Sequence, residues 1–423
     1  MEKSYITDNQ VKIFHYPGEH LHSFCLSLYL NGGSIYETGE NNGVSHFLEH
    51  VVIRNINHIM NGELYRYLDR LGLMFNACTY KEFVQFEITG AAKHFSKAVD
   101  VFVKIFEAIT LPASEICIER KRIKAEIRED DEKTTLGYFS SQIVWEGTSA
   151  AQMITGNSSD LDRMGKNVLQ KAHEDIIAAD NIFFYVTGKA GEEEIDYLKK
   201  AVEKYPLEKK GLNRDNHVDI PADFGKRGGR VAIKNSTDSV VRFSFDLNTN
   251  MFSQAAHMLL YDILFECENS KIHQALSEQS GFIYSFDSGM EQYRNIGNLY
   301  LQYEVRPSRL AESVEVVTGL LKDLKKGLED ELDYVKAAYT DNSEIILDHS
   351  SNLNWAQAYE GHILGRTPVE LDERKQEYED VTSDIVTELA DCIFRTDNLV
   401  VTVKGKKTKK LEKQIKDIIA ELD

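Results

Sequence analysis

AADNIFFYVTGKAGEEEIDYLKKAVEKY (residues 178–205) and RTDNLVVTVKGKKTKKLEKQIKDIIAEL (residues 395–422) carry one pattern twice. Each has Asp-Asn, a run of β-branched and aromatic residues, then Gly-Lys, and the step from Asp180 to Gly188 equals that from Asp397 to Gly405. The apolar run reads as a buried strand. The stretch after Gly-Lys reads as a helix, with apolar residues at helical spacing: Ile195, Leu198, Val202 and Tyr205 in one copy, Leu411, Ile415, Ile418 and Leu422 in the other. A strand and helix repeated at this distance imply two halves with one fold.

Earlier segments agree. Residues 65–106 and 273–321 run in the same order: helix, glycine (Gly72, Gly281), aromatic-rich strand, turn, second strand, amphipathic helix. Between the halves, EKKGLNRDNHVDIPADFGKRGGR (208–230) lacks periodicity and is rich in Gly, Asn, Asp and charge, as a linker would be. The division expected is 1–207, a linker 208–229, and 230–423. Helices alternating with hairpin-like strand pairs predict an α+β fold, each domain a mixed or antiparallel sheet with helices packed on one face.

The whole chain sets the bounds. At 423 residues it is too long for one ordinary domain. Its 49 Lys and Arg against 68 Asp and Glu give a net charge of −19, which argues against a nucleic-acid surface and favours a neutral or basic peptide as partner. The N-terminal stretch has no continuous apolar segment with a small-residue cleavage site, and no long apolar run occurs elsewhere, so a cytoplasmic protein without membrane spans is expected. The five cysteines (Cys25, Cys78, Cys117, Cys267, Cys392) are widely spaced without a CxxC pair, and read as reduced, mostly buried thiols.

Chemistry concentrates in NNGVSHFLEHVVIRN (41–55). His46, Glu49 and His50 stand in the order His-x-x-Glu-His among residues suited to a buried helix. Positions i, i+3 and i+4 share one helix face, so the two imidazoles can converge while Glu49 points into the same space. Such a pair suits a tetrahedral Zn²⁺ at about 2.0–2.1 Å, completed by a third protein ligand and an open position. Glu49 is then placed as a general base. Two imidazoles and a carboxylate on an apolar helix would otherwise carry a desolvation penalty. Local spacing does not choose the third ligand: the helix expected over SEICIERKRIKAEIREDDEK (114–133) offers Glu115, Glu119, Glu126, Glu129 and Asp130. In the second half the matching segment FSQAAHMLLYDILF (252–265) has one histidine, His257, read as a core or surface residue, so one metal per chain is expected.

His-x-x-Glu-His with a glutamate on a distant helix resembles the pitrilysin family of inverzincin metallopeptidases, which includes insulin-degrading enzyme and the mitochondrial processing peptidase. NGGSIYETGENNGVSHFLEHVV and LGLMFNACTYKEFVQFE are similar to two further family stretches, and the duplicated halves are similar to its paired domains. The resemblance implies a LuxS/processing-peptidase-like metallohydrolase fold, one Zn²⁺ per chain, and His46, His50 and Glu126 as its ligands. It implies that Glu119, one heptad before Glu126, supports the ligands from behind. It also implies a sheet-edge strand at Phe75, Asn76, Ala77 and Cys78 that binds substrate backbone. In the second domain it implies a Tyr, here Tyr284, that steadies the reaction's negative charge.

One departure shapes the expectation about partners. In LSEQSGFIYSF (276–286), Ser277 stands where the family carries an arginine, and a serine offers no fixed cationic fork. Another arginine, such as Arg294, is a candidate stand-in. The reading is therefore a zinc endopeptidase that hydrolyses peptides in a chamber between its domains, acting as a processing protease with a homologous subunit, in a heterodimer or homodimer, that brings its own Arg and Tyr. The alternatives are a metal-retaining but non-catalytic peptide-binding or assembly subunit, and last a small-molecule lyase.

Overall fold

In the computed structural model, which describes residues 1–129, 131–208, 218–266, 269–324 and 327–423, the two halves build one sheet design twice. The first uses β1 (Lys3–Ile6), β2 (Lys12–Pro17), β3 (Ser23–Asn31), β4 (Met74–Thr79), β5 (Phe83–Ala91) and β6 (Ile182–Gly188), in the order β1-β2-β6-β3-β5-β4. The second uses β7 (Arg230–Asn235), β8 (Val240–Leu247), β9 (Phe286–Gln292), β10 (Gly297–Glu304) and β11 (Leu399–Gly405), in the order β7-β11-β8-β10-β9. In each sheet one pair is parallel, β2 with β6 and β7 with β11. Without β1 the two orders coincide strand for strand. The chain is α+β with two mixed sheets, as the repeat implied.

Alternation along the strands makes the cores. Leu26, Leu28 and Leu30 of β3 face helices α1 (Val44–Ile59), α2 (Leu64–Leu71) and α3 (Phe95–Phe102) in one apolar cluster. Phe243 and Phe245 of β8 do the same with Leu259, Val314 and Leu389 in the second. Each such side chain, fully buried, contributes about 1.5–3 kcal/mol. The shared glycines have a backbone reason. Gly72 and Gly281 adopt φ +61° and +59°, the left-handed conformation that lets the chain leave the preceding helical turn for a strand.

The repeated Asp-Asn also has a physical cause. Asn181 Nδ2 donates to Asn31 O at 2.9 Å and to Ile176 O at 2.7 Å, and Asn398 Nδ2 donates to Asp246 O at 3.0 Å and to Ile393 O at 2.9 Å. In both halves one amide ties the last carbonyl of a helix to the end of the neighbouring strand.

The compact units do not follow the linear division. One gathers residues 1–130, 152–216 and 343–363; the other gathers 131–151, 217–342 and 364–423. Each sheet carries its principal helices on one face, and the interleaved segments meet the other. In the first unit, Ala358 and Ile363 pack with Tyr29, Phe83 and Tyr185, which point away from the leucines of β3. In the second, Ser140 of α5 (Leu136–Val144) hydrogen-bonds Thr402, opposite Val401 and Val403. α4 (Ala113–Glu129) belongs to the first unit.

Residues 209–217 of the linker expected at 208–229 lie outside the described residues, as do Asp130 and Cys267. Its end is built in: Arg227 is buried and grips Asp246 with Nε at 2.7 Å and Nη2 at 3.1 Å. Of the described cysteines all four are free, but only Cys25 is buried, and Cys78, Cys117 and Cys392 are half-buried. No helix among the described residues is long and apolar enough to cross a membrane.

Candidate metal centre

α1 is fixed at its start by a carboxylate. Glu37 accepts from the amides of Gly43 at 2.7 Å and Ser45 at 2.8 Å and from Asn42 Nδ2 at 2.9 Å, which satisfies two of the free N–H groups that open the helix. Gly43, at φ +93°, admits no side chain: a Cβ there would stand 2.7 Å from Thr155 O. Phe47, Val51, Val52 and Ile56 anchor α1 in the core, and its other face carries His46, Glu49 and His50.

α4 brings its acids against that face. Glu126 lies 3.4 Å from His46 Nε2 through one oxygen and 3.6 Å from His50 Nε2 through the other. Among the described residues these three are the His, Cys, Asp and Glu set able to hold a metal ion, with one ligand atom from each within 4.8 Å of the others. Of the acids left open by sequence, Glu126 meets both histidines. Glu115 accepts from Arg54 Nε at 2.8 Å, and Glu129 is exposed at the end of α4.

Glu119 is 1% exposed and lies 3.5 Å from His50 Nδ1, on the side away from Glu126. Arg54 Nη1 donates to it at 2.6 Å and Arg122 Nη1 at 3.1 Å. Burial pushes its carboxyl up, and contacts with His50, Arg54 and Arg122 outweigh that and hold it below the usual range. Burial, with His50 beside it, pushes His46 down to about 4. The imidazole is therefore neutral at pH 7, the form that coordinates a metal. His46 Nδ1 is buried with no hydrogen-bond partner among the described residues. Two imidazoles and a carboxylate around one point, with one imidazole buried and uncharged, fit a zinc ion.

Glu49 is buried beside this set, and Thr79 Oγ1 donates to its Oε2 at 2.7 Å. Burial pushes its carboxyl above the usual carboxylate range, against the pull of Thr79 and His50. Thr79 ends β4, which pairs with β5 on one side and is the edge strand of its sheet. Along β4, Phe75 and Ala77 pack on the core, while Met74, Asn76 and Cys78 alternate to the other face. Glu37, Thr79 and Arg54 escaped the sequence reading. Period-two alternation from Phe75 and Ala77 would have pointed Thr79 toward α1.

In the second unit, His257 is buried with Nδ1 2.8 Å from Ser253 O, and it belongs to no metal-binding set among the described residues. Ser277 lies in the helical turn Gln274–Gln279 and Tyr284 is 96% exposed just before β9. Arg294 stands two residues beyond the end of β9.

The family model described as insulinase, peptidase family M16, matches residues 19–156, and the one described as peptidase M16 inactive domain matches 163–339. An uncharacterized zinc protease of Bacillus subtilis, YmxG, is 23% identical over 94% of this chain and 97% of its own length. Subunit 1 of the rat mitochondrial cytochrome b-c1 complex is 28% identical over 35% of this chain and 32% of its own length. A protease from Helicobacter pylori has the same fold, with a TM-score of 0.84 at 18% identity over 96% of this chain and 100% of that one. Both family models are of peptidase M16 and the His-x-x-Glu-His helix of this chain lies within the first, so the chain belongs to the insulinase-like peptidase family M16.

Proposed function

We propose that this protein is a zinc-dependent endopeptidase, with one Zn²⁺ held by His46, His50 and Glu126. The observation that carries the reading is the position of Glu49. It adjoins the His46, His50 and Glu126 set on the same helix face, and its Oε2 is held by Thr79, which leaves Oε1 to exchange a proton. A bound Zn²⁺ supplies a Lewis acid for the scissile carbonyl and acidifies water toward neutral pH. Glu49 takes the proton of the attacking water and returns it to the leaving amine. Glu119 orients His50 through Nδ1. The free edge of β4, at Phe75, Asn76, Ala77 and Cys78, offers its backbone N–H and C=O groups to an extended peptide, and Tyr284 steadies the charge that develops on the carbonyl oxygen.

Ser277 favours work with a homologous subunit that carries the missing arginine, in a cytoplasmic processing role. The halves 1–207 and 230–423 are in this reading a duplicated pair in which only the first keeps a metal. A second reading, a metal-retaining subunit that binds peptides or assembles without cutting them, draws on the same serine and on the likeness to a cytochrome b-c1 subunit. Glu49→Gln separates the two. Its amide keeps the size of the side chain and does not accept a proton at neutral pH, so zinc content should stay at one per chain while peptide hydrolysis falls by orders of magnitude. Hydrolysis at the parent rate would place the activity elsewhere.

A further inference from the structure

Beside the metal centre, wholly within the first unit, lies a cavity of about 520 Å³ that the catalytic scheme leaves unused. Glu49 and His50 form one side of it, so whatever enters stands next to the scissile bond of a bound peptide. Asn57, Tyr65 and Arg122 line it as well.

Those three side chains present hydrogen-bond donors. Asn57 Oδ1 accepts from the Leu64 amide at 3.2 Å, which leaves its Nδ2 to donate. Tyr65 is 54% exposed and its hydroxyl has no partner among the described residues. Arg122 uses Nη1 on Glu119, and its side chain is 62% exposed, so Nε and Nη2 remain open to a ligand. The second arginine on the cavity, Arg54, is committed to Glu115 and Glu119. Glu119 is thus already neutralised by two guanidinium groups and does not repel an incoming anion as a free carboxylate would. An ammonium group placed here would meet Arg122, and an amide would gain only neutral hydrogen bonds.

We propose that this cavity is a specificity subsite for a carboxylate of the substrate peptide, gripped by Arg122 with Tyr65 and Asn57. Charge-assisted hydrogen bonds to a guanidinium are about twice as strong as neutral ones and match a carboxylate in geometry. The carboxylate comes from an aspartate or glutamate flanking the scissile bond or from a free C-terminus close to it. The substrates are then acidic peptides, despite the negative charge of the chain as a whole. This inference rests on the peptidase reading for its meaning, but its measurement does not depend on turnover.

The test uses the full chain loaded with zinc and carrying Glu49→Gln, so that peptides bind without being cut. Fluorescence anisotropy compares labelled peptides in matched pairs, Glu against Gln at each position, and free against amidated C-terminus. The acidic member of one pair should bind roughly tenfold tighter, and which pair responds tells the side chain from the terminus. Adding Arg122→Gln should bring that ratio close to one, and Arg122→Glu should turn the preference toward a Lys peptide. If Arg122 acts only by holding Glu119, both members of each pair weaken together and the ratio survives, which overturns the proposal. Equal affinities in the Glu49→Gln protein overturn it too. An acidic preference in binding, with no hydrolysis by the native chain, would instead remove the peptidase reading and leave the subsite standing.

Discussion

At the scale of single residues, the metal centre separates groups that sequence alone treats alike. Glu115, Glu119, Glu126 and Glu129 share one helix, yet one meets both imidazoles, two are engaged by arginines, and one points to water. With the proposed ligand set, Glu126→Ala should release zinc, because losing one of three protein ligands removes most of the site, whereas Glu129→Ala should leave the zinc content, read by elemental analysis, at one per chain. Glu119→Gln should weaken metal retention roughly 10–100-fold in a chelator titration, since it withdraws the charge behind His50. The heptad step from Glu119 to Glu126 made their shared face legible in advance. Arg54, Thr79 and Glu37 were not legible, because each acts through a partner brought near by the fold: Glu115 and Glu119 for Arg54, Glu49 for Thr79, and the first amides of α1 for Glu37.

At the scale of elements, the asparagine of each repeat explains why Asp-Asn recurs in a sequence whose strands have otherwise diverged. It sits where a helix ends and a strand begins, and its amide donates to one carbonyl of the helix and one of the neighbouring strand. Removing it deletes two hydrogen bonds, a loss of about 1–3 kcal/mol. Asn181→Ala and Asn398→Ala should therefore each lower stability by a similar amount, read as the shift of the denaturant midpoint at constant slope. A large effect at one site and none at the other would show that the duplicated locks no longer share a role. The strands themselves were readable from the alternation of apolar residues and the helices from their period. The strand order was not, since pairing β6 between β2 and β3 depends on residues more than 150 positions apart.

At the scale of the whole molecule, the proposed function joins a metal-binding half to a half with Ser277 where the family resemblance implies an arginine. Removing one donor aimed at a developing oxyanion typically lowers the rate 10²–10³-fold. The chain alone should therefore be a weak peptidase, and Ser277→Arg, or mixing with a homologous subunit that carries the arginine, should raise kcat/KM by at least tenfold on a quenched peptide. Strong cleavage by the native chain that neither change improves would make it self-sufficient. The duplication was legible because Asp-Asn and Gly-Lys recur at equal spacing, but the interleaving of the compact units was not. Nothing in residues 343–363 announces that their apolar positions belong with Tyr29 and Tyr185. That interleaving has a consequence during synthesis. The last strand of the first sheet ends at Gly188, whereas the segment that covers its aromatic face ends at Ile363, 363 − 188 = 175 residues later. At the usual ribosomal pace of about 5–20 residues per second, Tyr29, Phe83 and Tyr185 stay uncovered for roughly 9–35 s while the chain is being made, long enough for a chaperone to find them.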